Sequence, residues 1–337
     1  MRTQEQRPTI SVVIPVYNAA HVIARVVAPL LVALDRHEID EILVVDDCST
    51  DQSIDEIATY PRITCIRTVR QSGPAGARNL AALQATGEIL WFVDSDVIDA
   101  HDSARIVGHS FTDPDTVAVM GCYDDSPTAP NFLSQYKNLV HHFYHRQANV
   151  EASTFWAGCG AVRTTAFRAV GGFDAKTYKF PSIEDIELGY RLRDAGGKIL
   201  LNTSLQGKHL KEWRLGNLLH TEIFRRAIPW SQLMLRRGAV TDDLNVSRVE
   251  RLRALCVMLL SMATLLALTG LVSWWIPGGL FVVDIVASRT FLSFFFTAGG
   301  WWLMVRAYLM HRLYYLYSSV AFASAWLTVK AQRQRNA

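Results

Sequence analysis

Two clusters of acidic residues have the types and spacing to bind a cation beside phosphate groups. Asp46 and Asp47 follow an apolar run, and Asp94 and Asp96 follow another. Carboxylates presented from one loop are typical ligands of Mg²⁺ or Mn²⁺. Each acid taken alone could instead cap a helix or end a strand. Because both clusters follow strand-like segments, we expect them at one edge of a sheet, where a shared functional role is favoured.

A loop that contains glycines lies between the two acidic clusters. The segment 71–79, QSGPAGARN, includes Gly76 and Arg78. Glycine before a helix lets backbone amides approach a phosphate, and arginine adds a charged donor. Glycines also occur in ordinary turns, so the loop alone is weak evidence. Its position between the acidic clusters indicates a part in the same site.

A third acidic pair opens a predicted helix further along the chain. Glu184 and Asp185 lie in its first turn, where the helix dipole stabilises carboxylates. Either residue could act as a general base, and helix capping is the simpler explanation of the pair taken alone. A turn of small residues, 156–160 (WAGCG), precedes this helix.

The elements that must position these residues alternate between strands and helices. This alternation predicts a parallel α/β sheet, which binds ligands at the carboxyl ends of its strands. The predicted strands are 10–16, 41–45, 63–68 and 88–93, and the predicted helices are 19–34, 51–59 and 74–86.

Beyond about residue 210 the chain changes character. Residues 213–237 mix Trp, Leu, Ile and Phe with paired arginines, which is typical of a helix in the membrane interface. A solvated helix packed on the preceding domain is the alternative. Pro229 is expected to divide this segment into two helices.

An apolar region follows. Residues 254–283 contain no charged residue, and a membrane-spanning helix needs about twenty residues, so we predict a span at 254–276 that ends at Pro277. Two more apolar segments, 278–300 and 301–328, contain scattered charges. The basic clusters on either side of this region favour an even number of crossings, whereas three apolar segments suggest an odd number. We favour two crossings and one interfacial segment.

Composition excludes several classes of protein. Of 337 residues, 50% are hydrophobic and 19% are charged, which excludes a disordered chain, a collagen and a highly charged coiled coil. Residues 1–247 hold 25 basic and 29 acidic residues, and residues 248–337 hold nine and two. No concentrated basic face for nucleic acid is indicated. Five cysteines without a C-x-x-C pair indicate neither a disulfide framework nor a zinc site. The polar N-terminus has no apolar signal region, so secretion is not expected.

Together these motifs resemble a family-2 glycosyltransferase with the GT-A nucleotide-diphospho-sugar transferase fold, a mainly parallel, Rossmann-like α/β sheet. The resemblance extends from about residue 10 to residue 209. It rests on the segments 13–18 (VIPVYN), 44–51 (VVDDCSTD), 76–79 (GARN), 94–96 (DSD) and 184–185 (ED).

The resemblance implies three regions along the chain. Residues 1–212 would form the catalytic domain, residues 213–247 a basic amphipathic region at the membrane interface, and residues 248–337 a transmembrane tail with two or three apolar segments. Processive synthases of this family usually carry a Q-x-x-R-W motif. The nearest string here, 225–230 (RRAIPW), does not match, so a long-polymer synthase is disfavoured.

The resemblance also implies roles for individual residues. Asp185 looks like the general base, with Glu184 in the same catalytic motif, and inversion at the sugar carbon is expected. The candidates for binding the nucleotide sugar are Pro15, Tyr17, Asn18, Asp46, Asp47, Gly76, Arg78, Asp94 and Ser95. The candidate ligands of Mg or Mn are Asp94, Asp96 and His209, of which His209 could equally face solvent. The candidates on the acceptor side are Trp156, Gly158, Cys159 and Trp213.

We therefore expect a multi-pass membrane enzyme whose catalytic domain faces the cytoplasm. It would transfer a sugar from a nucleotide diphosphate to a lipid-type acceptor. The tail has more apolar segments than an anchor needs, and these could form the contact of a homo-oligomer. A transferase that makes a polyprenyl-phosphate sugar is the alternative enzyme. An inactive nucleotide-sugar-binding scaffold and a transporter or flippase subunit are the alternatives from other classes.

Overall fold

The computed structural model describes residues 7–238, 242 and 244–335. The chain forms two compact units, Met1–Glu212 (unit 1) and Trp213–Ala337 (unit 2). The acidic motifs all lie in the first unit, and the long apolar segments lie in the second.

Unit 1 alternates strands and helices over its first hundred residues, as the sequence predicts. Its strands are β1 (Ile10–Val16), β2 (Glu41–Asp46), β3 (Ile63–Arg67), β4 (Ile89–Val93), β5 (Val97–Asp99), β6 (Thr116–Tyr123), β7 (Glu151–Ala152), β8 (Cys159–Arg163) and β9 (Lys198–His209). Its helices are α1 (Ile23–Asp35), α2 (Ser53–Ala58), α3 (Gly73–Gln84), α4 (Ser103–Ser110), α5 (Phe132–Gln147), α6 (Thr164–Ala169) and α7 (Glu184–Asp194).

The sheet is mixed. Its strand order is β3-β2-β1-β4-β8-β6-β9-β5, and β7 pairs with β9. The first four strands are parallel to one another, whereas β8 runs antiparallel to both of its neighbours. A mainly parallel sheet is therefore the wrong prediction for the second half. Strand β5 also departs from a parallel arrangement, because it pairs antiparallel with β9.

The sheet is buried on both faces. Val12 and Ile14 of β1 pack in one apolar cluster with Val26 of α1. Val13, which points to the opposite face, packs in a second cluster with Ala77 of α3. Every residue of β1 is buried, which explains why the strand is apolar at every position except Ser11 rather than alternating. The carboxyl ends of β1, β2 and β4 are thereby held at one rigid edge.

Unit 2 is helical. Its elements are α8 (Leu215–His220), a π-helical turn (Thr221–Ala227), α9 (Ile228–Arg237), a short 3-10 turn (Leu244–Val246), α10 (Arg248–Leu268), α11 (Trp275–Ala287) and α12 (Arg289–Arg335). Many large apolar side chains of α10, α11 and α12 are exposed.

The prediction that Pro229 divides the segment 213–237 is wrong. The backbone angles are helical at both junctions of the π turn, at His220, Thr221, Ala227 and Ile228. Helix α8, the π turn and α9 therefore form one continuous helical segment. The π turn provides the reason. The Ile228 N–H donates to the Ile223 carbonyl five residues back, and this wider turn precedes the proline, which cannot donate.

The predicted break at Pro277 is also wrong. Pro277 lies in the first turn of α11, where a missing N–H is tolerated. The chain turns earlier, between Leu268 and Trp275, where Gly270 has a φ of +76° that favours glycine. The first long apolar helix is therefore Arg248–Leu268 rather than 254–276.

The predicted division at Gly300 coincides with a sharp reversal inside α12. Gly299 and Gly300 have non-helical backbone angles. The rings of Phe291 and His311 stack with centroids 4.4 Å apart. A straight helix would separate these two residues by about 30 Å along its axis, so the chain must fold back on itself between them.

Among the described residues, one helix, Arg248–Leu268, is long and apolar enough to cross a membrane by itself. Trp275–Ala287 and Arg289–Arg335 meet the same criterion only as a pair, bent by 62° at their junction. The three predicted apolar segments therefore do not each form a candidate span.

Candidate active site

The Asp94-Ser95-Asp96 loop is a tight turn fixed at both ends. The Asp94 N–H donates to the Gly158 carbonyl at 3.2 Å, and the Val97 N–H donates to the Asp94 carbonyl at 3.0 Å. Strand β5 follows at once and pairs antiparallel with β9, with Val97 opposite His209. This pairing brings the last acid of the loop beside the last residue of β9.

Asp96 and His209 form the pair that the sequence nominates for metal binding. Asp96 Oδ2 lies 3.6 Å from His209 Nε2, and the His209 ring stacks on Tyr123 with centroids 4.4 Å apart. Burial alone would raise the pKa of Asp96, but the hydrogen bond and charge of His209 and the charge of Lys211 lower it below its ordinary value. Asp96 is therefore a carboxylate at neutral pH.

Arg78 joins two of the acidic motifs. It extends from α3, is 4% exposed, and donates to Asp94 Oδ1 at 2.6 Å and to Glu184 Oε1 at 3.1 Å. Its guanidinium also lies 5.5 Å from the centre of the Phe173 ring. Burial alone would lower the pKa of Arg78, but the charges of Asp94, Glu184 and Asp185 raise it above its ordinary value. A permanent charge thus holds the loop after β4 against the start of α7.

The start of α7 presents its two acids differently. Glu184 is buried, and its second oxygen accepts the Ser182 N–H at 2.8 Å. Asp185 is only half-buried, and its Oδ2 accepts the Ala157 N–H at 3.1 Å. Glu184 is thus held by Arg78 and by the backbone, whereas Asp185 is the more accessible carboxylate.

Asp46 and Asp47 are both buried and turn into the protein. Asp47 accepts from the backbone N–H groups of Ser72 and Gly73 at 2.8 and 2.7 Å, and from the hydroxyls of Ser72 and Thr68. These bonds fix the start of α3 and therefore the position of the Arg78 backbone within that helix. Asp46 accepts the Ser49 N–H, and its other oxygen lies 3.1 Å from Arg67 Nε without hydrogen-bond alignment. Contact of either acid with a nucleotide stays a prediction.

The residues after β1 form the rim of the same edge. Asn18 has a φ of +53°, accepts the Thr50 N–H at 2.8 Å, and donates its own N–H to the Ser49 hydroxyl. Tyr17 is 48% exposed, whereas Pro15 is buried within β1. The loops after β1 and β2 are thus bonded together, and Tyr17 is the exposed ring among these residues.

The acceptor-side candidates are not all at one surface. The Trp156 ring lies against Gly158, where an added Cβ would come within 2.5 Å of the ring, so only glycine fits. Cys159 is fully buried, and its thiol donates to Asp99 Oδ1 at 3.0 Å. Trp213 is buried within unit 2. Trp156 is the partly exposed member in unit 1.

Sequence reasoning missed several residues beside the site. The Tyr123 ring, from β6, stacks on His209 and meets Trp156 edge-on with centroids 4.8 Å apart. His141, from α5, lies 4.6 Å from Trp156 between ring centroids. No motif marks Tyr123 or His141. Asp99 could have been suspected, because it is an acid within an apolar strand three residues after Asp96.

The residues present fit a divalent cation that is shared with a diphosphate. Among the described residues, no group of three or more His, Cys, Asp or Glu side chains could hold a metal. Asp96 and His209 would supply two ligands to such a cation, whereas Asp94 is bound to Arg78. Mg²⁺ usually takes one or two carboxylates and completes its shell with phosphate oxygens and water, and His is an acceptable ligand of several divalent metals.

Part of the chain matches the model of a known protein family. Residues 11–171 match the model of Glycosyl transferase family 2. Validoxylamine A glucosyltransferase of Streptomyces hygroscopicus is 29% identical over 56% of this chain and 52% of its own length. Pre-mycofactocin glycosyltransferase of Mycobacterium tuberculosis is 30% identical over 56% of this chain and 40% of its own. The chain thus spans about half the length of these relatives, or less.

A solved structure resembles nearly the whole chain. A mannosyltransferase from Pyrobaculum calidifontis, in complex with GDP-Man and Mn²⁺, superposes with a TM-score of 0.63 over 95% of this chain and 88% of its own, at 19% identity. This similarity supports the predicted GT-A fold. The family match and the relatives support a glycosyltransferase.

Proposed function

We propose that this protein is a membrane-associated, inverting glycosyltransferase. It moves a sugar from a nucleotide diphosphate to a lipid-type acceptor, with a divalent cation at Asp96 and His209 and Asp185 as the general base.

One observation carries the proposal. Arg78 bonds to Asp94 and to Glu184. Asp96 follows Asp94 after one residue, and Asp185 directly follows Glu184. Two half-buried carboxylates are thereby held at one site from two different elements. Glycosyl transfer needs two such groups, because the leaving diphosphate must be stabilised and the attacking hydroxyl must lose a proton.

On the donor side, Asp96 and His209 would hold the cation. A bound divalent cation supplies positive charge that stabilises the leaving diphosphate. Tyr123 positions His209 by stacking on its ring, and Asp96 remains ionised because its pKa is lowered. Arg78 is buried and acts by positioning Asp94 and Glu184 rather than by touching the donor.

On the acceptor side, Asp185 would take the proton from the acceptor hydroxyl. The Ala157 N–H fixes one oxygen of Asp185, and the positive end of α7 stabilises its charge. The deprotonated hydroxyl then attacks the anomeric carbon on the face opposite the leaving group. A single displacement of this kind inverts the configuration at that carbon.

The lipid-type acceptor is inferred from unit 2. Helix α10 meets the length and hydropathy of a membrane span, and its apolar side chains are largely exposed. Arg225, Arg226, Arg236 and Arg237 lie in the preceding helical segment, where each could contribute about 1 kcal/mol to binding an anionic surface. The basic clusters favour the cytoplasmic face for the ends of unit 2. An enzyme with such an anchor would meet its acceptor at the membrane.

A donor screen with the full chain tests the proposal. The purified protein, in lipid vesicles that contain a total lipid extract, is incubated with Mn²⁺ or Mg²⁺ and a panel of nucleotide sugars. We expect one donor to release its nucleotide diphosphate and one lipid to gain the mass of a sugar, with both lost in chelator. Binding of a nucleotide sugar without turnover in any lipid would instead favour the inactive scaffold. Equal transfer to a water-soluble acceptor would overturn the lipid-acceptor proposal alone.

A further inference from the structure

The helices of unit 2 fold as two hairpins. In the first, α10 and α11 lie side by side, and Cys256 Sγ comes within 4.0 Å of the Leu280 carbonyl oxygen. In the second, α12 reverses at Gly299 and Gly300, which brings Phe291 onto His311. Each hairpin therefore has a tip, at residues 269–274 and 299–300, and an open end.

The open ends of both hairpins meet in one cluster of polar side chains. Asp284 of α11 accepts from Arg312 Nε at 2.7 Å, and Arg312 also contacts the Ser288 hydroxyl. Glu250 of α10 accepts from Tyr315 at 2.5 Å and pairs with Arg253. We call these side chains the polar cluster: Glu250, Arg253, Asp284, Ser288, Arg312 and Tyr315.

The polar cluster fixes the open ends at nearly one level. Arg312 and Tyr315 are one turn apart on α12, so the groups they bind are separated by about 5 Å along that helix. Glu250 lies near the start of α10, and Asp284 lies near the end of α11. The cluster contains two acids and two arginines, and such pairing is the usual condition for burying charges among apolar helices.

The two tips have the opposite character. Trp274 and Trp275 follow the first tip, and Trp301 and Trp302 follow the second, with exposures of 59, 88, 67 and 67%. Residues 269–275 carry no charge. Arg306 is the one charged residue near a tip among the described residues, and its guanidinium lies over Trp302, toward the tip. Tryptophan and a long arginine directed toward it are typical of the boundary between hydrocarbon and headgroups.

The length of α10, the first leg of the first hairpin, matches a bilayer. From Glu250 to Leu268, α10 rises by about 27 Å, close to the ~30 Å of a hydrocarbon core. The exposed surface between these ends consists of large apolar side chains such as Leu255, Leu259 and Leu265. A soluble bundle would bury this surface, so the lipid bilayer is the occupant that fits it.

We propose that unit 2 inserts into the membrane as two helical hairpins that enter and leave through the same face. The polar cluster lies at the face of entry, and the tryptophan-bearing tips point away from it, toward the opposite boundary. This inference rests on the membrane association in the proposed function. The sequence suggested an odd number of crossings from its three apolar segments but an even number from its basic clusters. Apolar segments that fold as hairpins remove this conflict, because they return both basic ends of unit 2 to one face.

Cysteine accessibility in sealed vesicles tests the arrangement. The full chain first loses its less buried cysteines through Cys48→Ser, Cys65→Ser and Cys256→Ser. Exposed positions then receive single substitutions: Ser273→Cys and Thr297→Cys near the tips, and Arg251→Cys and Gln334→Cys toward the ends. We expect a membrane-impermeant maleimide to label R251C and Q334C from one face. S273C and T297C should be at least tenfold less reactive from that face than after detergent is added.

The outcomes separate this inference from the proposed function. Absence of the chain from floated vesicles would refute the membrane association itself. Flotation with R251C and Q334C labelled from opposite faces would refute the hairpins alone, as would labelling of the two tip positions from opposite faces. If the serine substitutions prevent folding, protease protection of the same two ends in the natural sequence gives the same decision, because both ends should be cleaved from one face.

Discussion

Both units bury arginine–carboxylate pairs, but they use them differently. In unit 1, Arg78 bonds to Asp94 and Glu184, and the adjacent acids Asp96 and Asp185 stay half-buried at the sheet edge. In unit 2, Arg312 bonds to Asp284 on α11, a helix whose other side chains are apolar and mostly exposed. The same ion pair therefore positions reactive neighbours in one unit and joins helices in the other.

The largest expected effect of a substitution falls on the base. Asp185→Asn keeps the size of the side chain but removes the proton acceptor, so turnover should fall by about 10²–10⁴-fold. Binding of the nucleotide diphosphate should be unchanged, which equilibrium titration checks. Asp194→Asn, an exposed acid at the other end of α7, is the matched control and should retain activity. Normal turnover in D185N together with its loss in Glu184→Gln would exchange the roles of the two acids.

The second prediction compares the two buried arginines directly. Removing one partner of a buried pair leaves an uncompensated charge at a cost of about 3–5 kcal/mol. Arg78→Met and Arg312→Met should each lower the free energy of unfolding by an amount of this order, as followed by thermal denaturation in detergent. R78M should also change the KM for the donor, whereas R312M should leave that KM unchanged. An unchanged donor KM in R78M would contradict the positioning role of Arg78.

The metal ligands should give a smaller effect that depends on concentration. His209→Ala removes one of the two protein ligands but leaves Asp96, so the metal concentration for half-maximal activity should rise by roughly 10–100-fold, the range seen when support of a metal site is lost. Saturating Mn²⁺ should restore much of the rate. His220→Ala, in unit 2, is the control. A metal requirement that is identical in H209A and the natural chain would exclude His209 from the site.

The smallest effect concerns stability and pH. Burial raises the pKa of Asp99 to about 7, so between pH 4 and 7 the folded protein retains a proton that the unfolded chain releases. Stability from this group is present below pH 4 and is lost as pH rises to about 7. Asp99→Asn cannot ionise, so its Tm should exceed that of the natural chain by about a few degrees more at pH 8 than at pH 5. Asp55→Asn, an exposed acid, should show no such difference.

The parts of the fold that were predictable are those fixed by local pattern. Strand β1 matches its predicted bounds because every residue in it is buried and all but Ser11 are apolar, and the acids at the ends of β2 and β4 follow similar apolar runs. The mixed second half of the sheet was not predictable in the same way. Its antiparallel strands, such as β8, are specified by partners distant in sequence rather than by their own composition.

The site shows the same limit. The sequence nominated Asp96 and His209, and the structure brings them together because β5 and β9 pair. The sequence could not show that the Asp47 carboxylate accepts hydrogen bonds from the start of α3, or that Tyr123 stacks on His209. Both features depend on tertiary contacts. The prediction that Pro229 divides the helical segment was wrong for a related reason. A π turn before Pro229 accommodates the missing hydrogen bond that a proline causes in a regular helix.

The stereochemistry of transfer tests the central claim most directly. The full chain is given its α-linked nucleotide sugar and acceptor, and the anomeric configuration of the new bond is read by NMR from the coupling constant of the product. Attack by a hydroxyl that Asp185 has deprotonated, in one displacement, predicts a β-linked product. An α-linked product would mean that the configuration is retained, and it would contradict the assignment of Asp185 as the base of a single-displacement transfer.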